Sequence, residues 1–408
     1  MPYGPHDLIE TGHFPALAGR TVLQIIPDLN AGGAERTTID IAKALNEAGA
    51  RALVASQSGR LVSELQACGG IWIPFPAKTK NPLSMIFNIR RLAALISRER
   101  VDIVHARSRA PAWVALGATR AMRTPFVTTY HGAYAGTSNI KIRYNSVMAR
   151  ADYVIANSEF TKRRILELHP FAADHVTVIH RGTDFRAFTP TAVDPGRVRR
   201  LRQQWGVEPD ERIVLLAARL TGWKGQTVLV DAASILRRQG LSGVKFILAG
   251  DPQGRNSFVK DLESRIAAAE LTDAVKLVGH CDDMPAAFMA ASAVAVPSTE
   301  PEAFGRAAVE AQAMGAPVIV TELGAVPETV LGPPDSPAQE RTGWRIPPGD
   351  PQALADAIAE TLSLGAIERD ALATRARQHV EKHFSLDHMC KQTLALYEHI
   401  ILPQRHGF

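Results

Sequence analysis

Glu302 and Glu310 stand eight positions apart in Glu302-Ala303-Phe304-Gly305-Arg306-Ala307-Ala308-Val309-Glu310. Pro297 and Ser298 close an apolar strand at Ala293–Val296, and a helix running to Met314 opens after Gly305. Glycine lets a backbone approach a ligand closely, and the first N–H groups of a helix have no partner inside it, so this turn suits an anion. Two carboxylates alone repel an anion, so the reading needs cations. Arg219 and Lys224 supply them, in Ala218-Arg219-Leu220-Thr221-Gly222-Trp223-Lys224-Gly225 after another apolar strand. Acids for hydroxyls and bases for phosphates together describe a site for a sugar nucleotide.

The elements that must position these residues come in two series. Val22–Ile26, Ala52–Ala55, Ile71–Ile73, Ile103–His105, Phe126–Thr129, Tyr153–Ala156 and Val176–Ile179 read as short buried strands alternating with helices. The pattern begins again with Ile213–Ala217, Val244–Leu248, Val275–Val278, Ala293–Val296 and Val318–Val320. The fold class is therefore α/β, with two doubly wound parallel sheets, and ligands bind such sheets outside the carboxyl ends of their strands. The polar clusters named above lie at such ends. A short extension covers 1–20, a first domain 21–190 and a second 191–385, with the crossing near 188–195. After Phe384, one helix from Leu386 to Ile401 carries Met389, Thr393, Leu396, Tyr397 and Ile400 at helical spacing and is expected to pack back on the first domain. Gly332 to Gln339 reads as a surface loop without chemistry.

A chain of 408 residues exceeds one ordinary core. Its three cysteines, Cys68, Cys281 and Cys390, form no Cys-x-x-Cys pair, which argues against a disulfide framework and a structural zinc site. No basic start followed by an apolar run opens the chain, and no stretch is apolar enough for a membrane helix, so the expected location is cytoplasmic. Charge is uneven. Residues 1–190 hold 23 Lys and Arg against 14 Asp and Glu, and the remainder 23 against 27. Lys78, Lys80, Arg90, Arg91, Arg98, Arg100, Arg107 and Arg109 gather around a helix opening at Asn81-Pro82, whose apolar positions include Ile86, Ile89, Ala93 and Ile96. Two readings stand open: a face resting on anionic lipid at the inner side of the cytoplasmic membrane, or a solvated basic surface. Without an RNA-binding aromatic motif or a recognition helix, nucleic acid is not an expected partner.

On these residues the chain resembles the retaining nucleotide-sugar glycosyltransferases of family 4, from about Thr21 to the C-terminus. The likeness lies in Gly32-Gly33-Ala34-Glu35, Tyr130-His131-Gly132, Asn157-Ser158, Arg181-Gly182-Thr183-Asp184, Arg219 with Lys224, and Glu302 with Glu310. It implies the GT-B architecture, two Rossmann-like domains facing across a cleft. It also implies that Arg219 and Lys224 hold the donor diphosphate, Glu310 the ribose hydroxyls and Glu302 those of the donor sugar. Phe304 and Gly305 then offer backbone N–H groups beside Ala303, Gly32 and Gly33 bring a second helix terminus, and Gly279, His280 and Met284 lie at the nucleobase; Gly250, at a strand end, either edges the nucleotide pocket or makes a plain turn. His131 is placed near the anomeric carbon, where side chain or carbonyl steadies oxocarbenium charge. The resemblance further implies front-face transfer with retention, neither an enzyme nucleophile nor a metal or other cofactor, and a hexose-type sugar passed to a glycan. That glycan is expected to be lipid-linked, as in lipopolysaccharide, exopolysaccharide or glycolipid assembly.

Some residues carry two readings. Asp282-Asp283 reads as a helix-opening acidic pair rather than a metal site, acids being favoured at helix starts. Arg107 and Arg109 face either an anionic acceptor or solvent. Where the family has Asn-Gly-Val-Asp this chain has Arg181-Gly182-Thr183-Asp184, which adds a cation suited to phosphate or an acidic acceptor. Ala303 stands where the family has proline. Two other functions compete: a sugar-nucleotide epimerase of the same fold, and a non-catalytic nucleotide-binding module. Nicotinamide binding lacks its signature, because Gly32-Gly33 is not Gly-x-Gly-x-x-Gly and no acid ends the second strand. The donor base, its sugar and the acceptor are not legible.

Overall fold

The computed structural model describes residues 12–30, 32–132 and 138–402. The chain divides into two compact units, one running to Gly182 and resuming at Leu386, the other Thr183–Ser385.

The first unit is built on seven strands: β1 Thr21–Ile25, β2 Arg51–Ser56, β3 Ile71–Pro74, β4 Ile103–Ala106, β5 Phe126–Tyr130, β6 Tyr153–Ala156 and β7 Val176–Val178. Their order is β3-β2-β1-β4-β5-β6-β7, and every pairing is parallel. Most of these strands are buried on both faces, so they are apolar without alternation. Leu23, Ile25, Leu53 and Val104 face the helices Pro82–Glu99 and Arg109–Met122, while Val22, Val54, Ile103 and Val127 face Gly33–Glu47 and the tail helix Leu386–Ile401. The tail helix packs on the first unit through Met389 and Tyr397, both buried. Glu398 ties it further by accepting from the Ala16 N–H at 2.7 Å.

The helix Pro82–Glu99 starts where the sequence says. Proline at the first position has no N–H to waste, and Asn81 Oδ1 accepts from the N–H groups of Leu83 and Ser84 at 3.0 and 3.2 Å. Such a cap is worth about 1 kcal/mol. The helix ends at Arg100, in the left-handed region at φ 51°. It sits close on Arg109–Met122 because Gly117 lacks a side chain; a Cβ there would lie 2.7 Å from Ile89. Ile86 is 54% exposed, while Leu92, Leu95 and Ile96 fill the core. The spacing of Ile86 from Ile89 and Ala93 fits a common stripe, but the rotation is fixed by the larger set Asn88, Leu92, Leu95 and Ile96.

The second unit has six parallel strands, β8 Arg212–Ala217, β9 Val244–Ala249, β10 Val275–Gly279, β11 Ala293–Val296, β12 Val318–Thr321 and β13 Trp344–Ile346, ordered β10-β9-β8-β11-β12-β13. β13 was not foreseen, because three residues flanked by Gly343 and Pro347 carry too little periodicity. Its register with β12 (Ile319 opposite Trp344) completes the sheet edge. The sequence-based crossing near 188–195 also shifts. Phe185 and Phe188 pack inside the second unit, Phe188 at 6.3 Å from the Phe288 ring, so the division falls at Gly182 and Thr183. Strand order reverses between β8 and β11, the kind of switch point beyond whose strand ends doubly wound sheets bind ligands.

Candidate functional site

The turns after β8 and β11 flank that switch point. Gly225 sits at φ 76°, and a Cβ on it would lie 1.9 Å from the Pro297 carbonyl oxygen, so only glycine lets the two turns meet. The Thr299 N–H then donates to the Trp223 carbonyl at 2.8 Å. This seam delivers Lys224 to Glu302, Nζ to Oε1 at 2.8 Å, with the side chains only 15% and 10% exposed. The ammonium also lies 4.3 Å from the Trp223 ring centroid. Ser298 donates its hydroxyl to the same carboxylate oxygen. Glu302 is held from behind as well: its carbonyl accepts from the Ala325 N–H at 2.8 Å, beside Gly324.

Phe304 is buried, its ring edge-on to Phe384 at 5.5 Å. That anchor fixes the loop while Ala303 stays half-buried. Gly305, at φ 87°, caps the helix Arg306–Ala313. The leading N–H groups of that helix have no intrahelical acceptor and mark a positive pole. Glu310 is nearly buried and takes two hydrogen bonds from Arg306, at 2.6 and 3.0 Å. The sequence reading missed Arg306, although its i,i+4 spacing from Glu310 is the ordinary signal for such a pair. It also passed over the hydroxyl of Ser298.

Arg219 is placed differently from Lys224. Its main chain is fixed, the carbonyl accepting from Gln226 Nε2 at 2.9 Å, but the side chain is exposed and forms no ion pair among the described residues. Gly250 lies directly beneath that turn, where a Cβ would meet the Ala218 carbonyl oxygen at 1.9 Å, and its N–H donates to the Gly279 carbonyl at 2.7 Å. Arg219, Gly250 and Gly279 therefore share one edge. Met284 opens the helix Met284–Ala290 behind it. Asp283 caps that helix by accepting from Ala286 and is gripped by Arg197 at 2.6 and 2.9 Å. His280 is exposed, 3.0 Å from Asp282. Among the described residues no group of three or more His, Cys, Asp or Glu side chains is arranged to hold a metal. A cavity of about 640 Å³ lies beside β10, lined by Trp205, Lys276 and Asp283 among others, and takes in neither Lys224 nor Glu302.

The first unit gathers its own polar group where β1 and β4–β7 end. Gly32 and Gly33 start the helix Gly33–Glu47, and the Arg181 guanidinium packs so closely on Gly33 that a Cβ would lie 2.3 Å from Nη2. Glu35 sits over Gly32, its pKa raised by burial and by Asp28 against the lowering influence of its own backbone and Arg181. Burial, then Arg181 and Arg107, hold the His131 imidazole well below its ordinary pKa, so it is neutral at pH 7. Its Nε2 is buried without a partner among the described residues. Asn157, next to His131 by the Tyr130–Ala156 register, is 3% exposed, with both amide atoms unpartnered among the described residues. Its sequence neighbour Ser158 caps the next helix, accepting from the Thr161 N–H at 3.1 Å.

Arg107 is not a surface residue. It is buried, with Nε donating to Gln24 at 2.7 Å. Arg109 instead donates to Asn145 at 2.9 Å. Arg107 follows the end of β4, whereas Arg109 opens the helix Arg109–Met122, so the change from strand to helix backbone gives the two side chains different partners.

Comparison with known proteins places this geometry. Residues 31–186 match the family described as Glycosyltransferase Family 4, and residues 198–379 that described as Glycosyl transferases group 1. A D-inositol 3-phosphate glycosyltransferase of Jonesia denitrificans is 30% identical over 257 residues, 62% of this chain and 58% of that protein. The chain thus matches little more than half the length of that curated relative. A glycosyltransferase structure from Rickettsia africae ESF-5 is 33% identical, with a TM-score of 0.86 over 95% of this chain and 100% of the other. Anabaena HepE in complex with UDP and glucose is 27% identical, with a TM-score of 0.79 over 92% and 98%. With one family matched along each unit and a full-length structural relative a third identical, the chain belongs to the family 4 glycosyltransferases of GT-B fold.

Proposed function

We propose that the protein is a retaining glycosyltransferase that moves a hexose-type sugar from a nucleotide-diphosphate donor to a glycan acceptor. The observation that carries this is the shielded Lys224–Glu302 pair at the β8/β11 switch point, beside the Gly305 helix terminus. Lys224, Arg219 and the free N–H groups of that terminus take up the charge that grows on the departing diphosphate. Fixed charges aimed at the leaving group favour the transition state over the ground state, without calling for a metal. Glu302 accepts from donor-sugar hydroxyls and Glu310, preset by Arg306, from the ribose. Gly250, Gly279 and Met284 edge the nucleotide. His131, neutral, steadies oxocarbenium charge as a dipole rather than as an acid. The orphaned amide of Asn157 and the guanidinium of Arg181 suit an acceptor rich in oxygen atoms, including an acidic one.

HepE was crystallised with UDP and glucose, which makes UDP-glucose the first donor to try. A lipid-linked acceptor, of the kind used to build surface polysaccharide or glycolipid, fits the basic first unit. No helix among the described residues is long and apolar enough to cross a membrane. The test is a panel of UDP, GDP and ADP sugars offered to the purified protein with membrane extract. Transfer with retained anomeric configuration supports the reading. Neither transfer nor nucleotide-induced thermal stabilisation defeats it, and isomerisation of donor alone would move the assignment to an epimerase.

A further inference from the structure

We propose that the outward face of the helix Pro82–Glu99 docks this protein onto an anionic lipid bilayer. The proposal deepens the lipid-linked acceptor reading, but its test needs no catalysis.

Leu83, Ile86 and Phe87 are 70%, 54% and 64% exposed on the first two turns of one helix. At 100° per residue they fall within one outward sector, and Arg90, Arg91 and Arg98 continue that sector toward the C-terminus. An apolar tip followed by arginines on the same face is the arrangement of a helix lying in a membrane interface, side chains inserted and cations at headgroup level. Lys80 lies just before the helix; it, Arg90 and Arg91 form no ion pair among the described residues.

Charge selects the occupant. Between Phe75 and Arg150 there are thirteen Lys and Arg residues and only two acids, Glu99 and Asp102. Both acids are already engaged, Glu99 by Arg98 and Arg51 and Asp102 by Arg20. A second copy of the chain pairing patch to patch would set these cations against each other, and three apolar side chains fall far short of a stable interface. An anionic bilayer satisfies both halves of the patch. The apolar first turns also lie where this helix follows the carboxyl end of β3, the same end of the sheet as His131 and Arg181.

The experiment is flotation of the full chain with vesicles of phosphatidylcholine alone and with added phosphatidylglycerol, at low and high salt. Binding should need the anionic lipid and weaken as salt screens it. Leu83→Ser, Ile86→Ser and Phe87→Ser combined, and separately Arg90→Gln with Arg91→Gln, should each lower the bound fraction about tenfold or more. Because these side chains are exposed, the melting temperature and the UDP-induced shift should stay as in the parent. Equal binding to neutral vesicles, or unchanged binding by the triple variant, overturns the proposal. So does a dimer in sedimentation velocity that the triple variant disperses while vesicles capture nothing. Loss of the UDP shift in the parent sinks the donor-site reading alone.

Discussion

Lys224 Nζ lies 2.8 Å from Glu302 Oε1, with both side chains largely shielded from water. Removing one partner strands the other charge, and an orphaned charge in such surroundings is costly. Lys224→Ala should therefore lower unfolding free energy by roughly 2 kcal/mol or more, and Lys224→Ala with Glu302→Ala by less than the sum of the singles. Transfer should fall by about 3 kcal/mol of barrier in each single variant. Denaturant titration and kcat/KM together check this; additive stabilities would show that the pair is not coupled.

Arg306 acts on Glu310 from one helical turn away. In Arg306→Ala the carboxylate loses its two donors and its orientation. Calorimetry should show UDP binding weakened by roughly 1 kcal/mol, with inorganic pyrophosphate unaffected, because only UDP brings a ribose diol. Equal weakening of both ligands would assign Arg306 to the phosphates instead.

Two glycines predict opposite outcomes. A Cβ at Gly33 meets the movable end of Arg181, whereas one at Gly250 meets the Ala218 carbonyl, part of a fixed strand end. Gly33→Ala should change stability by under about 1 kcal/mol and displace Arg181, while Gly250→Ala should cost about 1–3 kcal/mol or more. Melting curves of both variants, with Arg181→Ala beside Gly33→Ala, make the comparison.

The tail helix is held by a buried chain of hydrogen bonds. The Tyr397 hydroxyl lies 2.5 Å from His105 Nδ1, and His105 Nε2 lies 2.7 Å from the Thr129 hydroxyl. Tyr397→Phe leaves a buried imidazole nitrogen without a partner, a loss of about 1–3 kcal/mol. Hydrogen exchange should accelerate first along Leu386–Ile401; uniform acceleration across both units would contradict a local anchor.

His379 is partly buried, and desolvation followed by repulsion from His383 lowers its pKa to about 4. The folded state thus binds this proton less readily than the unfolded chain does. Its contribution is intact above the ordinary value of 6.5 and is lost as pH falls through about 4. His379→Gln should remove part of the stability loss between those values, on the order of 1 kcal/mol at pH 5 after allowance for partial exposure. Urea midpoints of parent and variant at pH 7 and about 5 test it.

The alternation of short apolar runs with helices determined two doubly wound sheets, because strands covered on both faces must be apolar throughout. Motif spacing determined which residues stand at strand ends, among them Lys224, Glu302, Gly33 and His131. Local chemistry also set the start of Pro82–Glu99, since a cap acts within a few residues. Only tertiary structure decided partners. Lys224 and Glu302 meet because β8 and β11 are neighbours in space, an order that no local pattern encodes. Arg107 turns inward onto Gln24, 83 residues distant, rather than out to solvent. Ile86 faces out because the rest of its helix fixes the rotation, and β13 exists because β12 offers an edge to pair with. A chain records its own periodicities, but which charge is shielded, paired or exposed depends on side chains that arrive from elsewhere in the sequence.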